Sequence, residues 1–140
     1  MKAATFAAVA ALALSALPSA AAAMTVQEFL TSANRIPRNP TALLRSDTRR
    51  LMNEMNGAFK AVRDDQVAAK AAGRRSATCI PEGAKISLSP DMILNRFNAI
   101  PAQRRSISVN QAVREWMAEE YPCPAGSAPE PLHSGAGERI

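Results

Sequence analysis

Two cysteines constrain the fold of this chain more than any other feature of its sequence. Cys79 and Cys123 are the only cysteines among the 140 residues. The chain starts like an exported precursor, and a pair of exported cysteines in an oxidising compartment is normally bonded. Such a bond would close a loop of about 45 residues, which contributes roughly 4 kcal/mol in the chain-entropy model of disulfides. The sequence therefore predicts a small domain whose stability depends on one disulfide.

The first 23 residues have the pattern of a cleavable signal peptide. Lys2 provides a short positive region, residues 3–17 form an apolar stretch, and Pro18 interrupts it before the small residues 21–23. A membrane anchor is the alternative, but a spanning helix needs roughly 20 predominantly apolar residues. We expect cleavage after Ala23 and a periplasmic mature protein.

The charge of the mature chain excludes some partners and leaves others open. Without Lys2 the chain keeps 16 Lys and Arg against 12 Asp and Glu. This modest excess suits an acidic partner surface, although solvated faces of ordinary proteins commonly carry the same excess. Aromatic residues are 4% of the chain and no nucleic-acid motif is present, so we expect no nucleic-acid partner.

The first half of the mature chain predicts amphipathic helices. Thr25 and Glu28 have the spacing of a capping box, which predicts a helix ending near Asn34, before the prolines of 36–40. Residues 41–72 predict one amphipathic helix or two in succession, stopped by Gly73 and followed by Arg74-Arg75. Gly57 is expected to mark a kink or a close approach of another helix. The expected inner face consists of Leu44, Leu51, Met55, Phe59 and Val62.

The second half predicts two shorter helices around the cysteines. An irregular segment, 76–88, precedes a helix that Ser89 caps and Pro101 ends. Ser108 and Gln111 have the spacing of a second capping box, and the helix that follows delivers Tyr121-Pro122-Cys123. We therefore expect an all-α fold, a small bundle of three to four helices over residues 24–123 closed by the disulfide, with a disordered tail at 124–140.

Catalytic chemistry finds little support in the sequence, and we expect a protein that is not an enzyme. The only histidine, His133, lies in the predicted tail, and the bonded cysteines offer no thiolate nucleophile. No metal-ligand cluster and no phosphate or dinucleotide motif is present, so no metal and no cofactor is expected. The candidate partner-binding residues are Arg104 and Arg105, in a turn between helices, and Trp116, for which a place in the core is the alternative.

The cysteine elements resemble a known family. The stretch Cys79-Ile80-Pro81-Glu82-Gly83, a helix closed by Ile100-Pro101 and a helix ending in Glu120-Tyr121-Pro122-Cys123 resemble the C-terminal half of the Rap/Tai family of type VI secretion immunity proteins. The resemblance covers residues 79–123. In the earlier half, around Asn56-Gly57-Ala58-Phe59, many members have a further cysteine pair and a Gly-Tyr element that this chain lacks.

The resemblance implies a function as well as a fold. Members are small helical periplasmic proteins, often homodimers, that bind peptidoglycan amidase toxins and block their active sites. Cys79 and Cys123 would match the structural disulfide of the family. Two other hypotheses remain open: a small periplasmic chaperone or stress protein, and a structural factor that contacts the anionic cell wall through Arg74, Arg75, Arg104 and Arg105.

Overall fold

A computed structural model describes residues 22–125 of the chain. The predicted disordered tail lies outside these residues except for 124–125, and the predicted signal peptide lies outside them except for 22–23. The elements within them, in chain order, are α1 (Val26–Ala33), a 3-10 helix (Pro40–Leu44), α2 (Ser46–Ala71), α3 (Pro90–Asn98), a second 3-10 helix (Ala102–Arg104) and α4 (Val109–Glu120).

The predicted all-α class is confirmed over residues 22–125. Within this range the only β-type pairing is one isolated antiparallel bridge, between Thr25 and Ser108. The segment 85–88, whose composition came nearest to that of a strand, forms no regular structure. The helices therefore have to make the core by packing against each other and against the irregular segment between α2 and α3.

Helix α1 begins as its sequence predicts. The Thr25 hydroxyl accepts a hydrogen bond from the Glu28 backbone N–H (3.2 Å), and the Glu28 carboxylate accepts one from the Thr25 backbone N–H (2.8 Å). The capping box is therefore complete, and it also holds the pKa of Glu28 below its ordinary value, chiefly through the backbone bond. Val26, Phe29 and Leu30 share one face and are buried, as their spacing indicates.

The predicted helix over 41–72 divides into two elements. Residues Pro40–Leu44 form the 3-10 helix, and α2 begins only at Ser46. The expectation that Leu44 lies on the buried face is wrong, because this residue belongs to the 3-10 helix, where its side chain is 79% exposed. The close approach expected at Gly57 is also wrong: Gly57 is exposed within a continuous helix, and a Cβ there would meet no atom within 4 Å.

Helix α2 ends in the way that Gly73 predicts. Gly73 has φ 63°, a left-handed conformation that other residues adopt at a cost. Its N–H donates to the Lys70 carbonyl (3.1 Å), and the Arg74 N–H donates to the Ala69 carbonyl (2.8 Å). These are the two bonds of a Schellman motif, so the last carbonyl groups of α2 are satisfied by the chain that leaves the helix.

Helices α3 and α4 both begin at a capping serine. The Ser89 hydroxyl accepts from the Met92 N–H at 3.2 Å, and the Ser108 hydroxyl accepts from the Gln111 N–H at 3.1 Å. The second predicted capping box is only half formed, because the Gln111 amide donates to the Glu115 carboxylate (2.9 Å) and not to the Ser108 backbone. A charged acceptor one turn along the helix competes with the cap for the Gln111 side chain.

The core lies where α1 and α4 pack against α2 and where α3 packs against α1. The α2–α4 pair makes the most extensive contact between helices. Phe29 and Phe97 pack edge to face with ring centroids 5.1 Å apart, and Phe97 is fully buried. The residues of the main apolar cluster fall between 24 and 117, inside the predicted domain. Its least exposed members are Val26, Phe97, Val109, Val113 and Met117.

The predicted disulfide is present and fixes the irregular segment against the end of α4. Cys79 and Cys123 are bonded with Cα atoms 4.9 Å apart, and the Cys79 N–H donates to the Tyr121 carbonyl at 2.9 Å. The side-chain amide of Gln66 on α2 donates to the Ile80 carbonyl (2.8 Å) and accepts from the Ile80 N–H (2.9 Å). The segment is thus attached to α4 by sulfur and to α2 by an amide clamp, and Ile80 enters the core.

Loss of the disulfide should destabilise the protein strongly. We expect the double variant Cys79→Ser/Cys123→Ser to lose about 4 kcal/mol of unfolding free energy, because the reduced unfolded chain regains the freedom of a long loop. Urea unfolding measures this loss. Wild-type protein unfolded in the presence of a thiol reductant should match the variant, and an unchanged urea midpoint in both samples would contradict the prediction.

Helix α3 should contribute to stability through one side chain. Phe97→Ala is expected to cost about 3–5 kcal/mol, because it leaves a cavity beside Phe29 that the core can only partly fill. Met92 lies on the same helix but is 50% exposed, so Met92→Ala should stay within about 0.5 kcal/mol of wild type. Thermal and urea unfolding compare the two variants, and equal losses would mean that α3 does not pack as described.

Candidate functional site

Arg105, one of the predicted partner-binding residues, bonds to backbone carbonyl groups through two of its donors. Its Nε donates to the Ile100 carbonyl (2.9 Å) and its terminal nitrogen to the Asn98 carbonyl (2.8 Å). These carbonyls lie at and just beyond the C-terminal end of α3, where helical acceptors have no partner within the helix. The Arg105 carbonyl also accepts from the Gln27 N–H at 2.9 Å. Arg105 therefore closes α3 and joins it to α1, and two of its five guanidinium N–H donors are engaged in these bonds.

Arg104 is more exposed but is engaged in an ion pair. Its terminal nitrogen lies 2.6 Å from the Glu115 carboxylate, which also accepts from Gln111. These bonds, that from Arg104 first, hold the pKa of Glu115 below its ordinary value, and the same carboxylate raises the pKa of Arg104. Half of the Arg104 side chain remains exposed. Its exposed part could still meet an anionic group.

Trp116, the third candidate, lies in the core. It is 5% exposed and its ring packs near Phe59, with centroids 6.4 Å apart. The Arg96 guanidinium lies 5.9 Å from the centre of the indole and pairs with Glu119. A cation over the ring face and an aromatic neighbour stabilise α4 against α2 and α3. The ring therefore anchors the fold and is not presented as an interface residue.

Two shallow clefts are present on the part of the surface that the structure describes. The larger, of about 300 Å³, lies between the C-terminal part of α2 and α4. Its lining includes the Asp65–Arg114 ion pair, Arg74 and Arg75. The smaller, of about 260 Å³, lies beside α1. Within residues 22–125 no group of three or more His, Cys, Asp or Glu side chains is placed to hold a metal ion.

The strongest departure from an ordinary solvated surface lies at the start of α2. Leu43 and Leu44 are 68% and 79% exposed, and Met52, one turn into α2, is 53% exposed. Arginines surround them in the sequence, with one acidic residue, Asp47, between 35 and 50. We call this region the Leu43–Leu44 surface and define it by six residues, Arg38, Leu43, Leu44, Arg45, Arg49 and Met52.

The sequence alone does not reveal this surface. Pro40 fixes the first residue of a turn, and the Thr48 hydroxyl donates to the Ala42 carbonyl (2.6 Å), which folds the Pro40–Leu44 helix against the first turn of α2. A proline followed eight residues later by a threonine does not distinguish a 3-10 helix from the start of a longer α-helix. Only the tertiary placement shows that the two leucines point outward.

The comparisons with known proteins do not assign a family to this chain. No protein-family model, no curated protein and no solved structure matches it. Among the helices of residues 22–125, none combines the length and the apolar character that crossing a bilayer requires. Functional inference therefore depends on the geometry of the chain and on the resemblance of residues 79–123.

The two neighbouring arginines should differ sharply in their effect on stability. Arg105→Gln is expected to cost about 1.5–3 kcal/mol, because the two charged hydrogen bonds to the carbonyls at the end of α3 are lost. Arg104→Gln should leave the urea midpoint nearly unchanged, because an exposed ion pair contributes little to stability. Urea unfolding of the two variants tests this. Equal small losses would mean that the bonds from Arg105 to the end of α3 contribute no more than an exposed ion pair.

Proposed function

We propose that this chain is a periplasmic immunity-like protein that binds and occludes a peptidoglycan amidase of the type VI secretion system. The observation that supports the proposal is that the segments that resemble the family are joined to each other in the folded chain. The Cys79-Ile80-Pro81 element and the Tyr121-Pro122-Cys123 element are joined by the disulfide and by the Cys79–Tyr121 backbone bond. Helix α3, which Pro101 follows as the resemblance implies, packs within the same unit.

The arrangement of charges supports binding over catalysis. The carboxylates of Asp65, Glu115 and Glu119 each pair with an arginine across two elements of the fold. For Glu115 the hydrogen bond from Arg104 holds the pKa below its ordinary value, which favours the charged form and opposes the exchange of protons that an acid–base catalyst performs. We therefore propose that the chain acts as a rigid inhibitor and not as an enzyme.

Co-export with candidate toxins tests the proposal. Each peptidoglycan hydrolase encoded beside the gene for this chain would be exported to the periplasm of a bacterial host, with and without this protein. We expect the protein to prevent lysis by one hydrolase and to inhibit its digestion of purified sacculi at equal molar amounts. The disulfide-free variant should protect poorly because less of it is folded. Lysis that is unchanged with every neighbouring hydrolase would reject the proposal.

A chaperone remains the second candidate, because several large apolar side chains are exposed. A holdase needs apolar surface for unfolded clients, and Leu43, Leu44, Met52, Val67 and Met92 provide some. This candidate predicts that the protein suppresses the heat aggregation of unrelated proteins. An immunity-like protein inhibits one hydrolase and leaves such aggregation unchanged, so a single aggregation assay separates the two.

A further inference from the structure

The two leucines of the Leu43–Leu44 surface are held in an exposed position by the backbone. The Ala42 N–H donates to the Asn39 carbonyl (3.0 Å), and the Ala42 carbonyl accepts from both the Arg45 N–H (3.1 Å) and the Thr48 hydroxyl (2.6 Å). The turn is thereby fixed on both sides of the leucines. Neither side chain can reach the core without breaking these bonds, so their exposure is a property of the folded chain.

Cations are concentrated around these leucines. Residues 35–50 contain five arginines and one acidic residue, Asp47, which lies 3.4 Å from Arg45. The charge of Arg50 acts on Glu28 of α1. Within the described part of the chain, Arg38 and Arg49 have no carboxylate within 4.0 Å. The surface thus carries positive charge that internal ion pairs leave uncompensated.

The apolar and cationic side chains lie on one flank of the start of α2. Arg45 and Arg49 are four residues apart, as are Thr48 and Met52, so each pair shares a stripe of the helix. Thr48, one turn before Met52, bonds to the turn that carries the leucines, so this turn lies against the same part of α2. None of the six residues that define the surface lines either of the two clefts described above.

Exposed leucines among arginines fit a lipid surface better than a protein partner. In protein interfaces, leucine is under-represented among the side chains that dominate binding energy. At a membrane, apolar side chains enter the boundary between head groups and acyl chains, while Lys and Arg meet the phosphates of anionic lipids. We propose that the Leu43–Leu44 surface binds peripherally to an anionic phospholipid bilayer, with the leucines inserted and Arg38, Arg45 and Arg49 on the lipid phosphates.

This lipid contact is independent of the proposed immunity role, and vesicle binding tests it directly. The protein from Met24 to Ile140 contains every residue of the core cluster and lacks the apolar leader, which could bind lipid by itself. We expect it to float with vesicles of phosphatidylcholine and phosphatidylglycerol in equal parts, and to stay unbound with pure phosphatidylcholine. Binding should weaken as salt is raised, because the Debye length falls to about 3 Å at 1 M.

Matched variants test whether vesicle binding requires this surface, or whether any exposed apolar residues and any arginines are sufficient. Leu43→Ser/Leu44→Ser should bind at least about tenfold more weakly, whereas Val67→Ser/Met92→Ser, which removes two exposed apolar residues elsewhere, should bind as wild type does. Arg38→Gln/Arg49→Gln should lose about fivefold per arginine. Arg74→Gln/Arg75→Gln removes the same charge beyond the far end of α2 and should lose clearly less.

Each outcome decides the proposal. Circular dichroism and thermal unfolding should show that all four variants are folded, as expected for substitutions of exposed residues. Absence of wild-type binding to the anionic vesicles would overturn the proposal and leave a protein partner as the occupant of this surface. Equal losses in the test and control variants would also overturn it, because the attraction would then not belong to the Leu43–Leu44 surface.

Discussion

The structure depends first on the covalent bond between Cys79 and Cys123. The segment between α2 and α3 has no regular structure of its own, and yet Ile80 occupies the core. The disulfide fixes this segment to the end of α4, and the Gln66 side chain fixes it to α2. An irregular segment can contribute to a core only if its backbone is held and its polar groups are satisfied, and these attachments provide both.

A second attachment fixes the other end of α4. The Val109 N–H donates to the Met24 carbonyl (2.9 Å), and the Val26 N–H donates to the Ile107 carbonyl (3.0 Å), so the caps of α1 and α4 pair as a short antiparallel bridge. Helix α4 is therefore held by backbone bonds at its start and by sulfur after its end. Val113, Trp116 and Met117, which lie between the two, are buried against the other helices. A helix fixed at both ends can organise a core this small.

The features that the sequence predicted correctly are those decided within a few residues. The capping box at Thr25, the stop at Gly73 and the cap at Ser89 each depend on one side chain and a backbone group nearby. Leu44 was misjudged, and the bonds of Arg105 to the end of α3 could not be read from the sequence, because both depend on contacts with other elements. The disulfide was predicted from cysteine count and export alone, whereas the immunity function stays a prediction that no local pattern of residues can decide.

The distribution of charge divides the molecule into two regions. Around α4 and the middle of α2, acidic and basic side chains pair across elements, so these charges compensate each other. The start of α2 differs from this. Arg45 and Arg49 lie four residues apart at the N-terminal end of α2, where the helix dipole already disfavours cations. Arg45 occupies the cap position without any side-chain cap bond. Natural sequences break local preferences mainly where function requires it. The unfavourable placement of these arginines, together with two exposed leucines, therefore supports the proposal that the start of α2 meets another molecule.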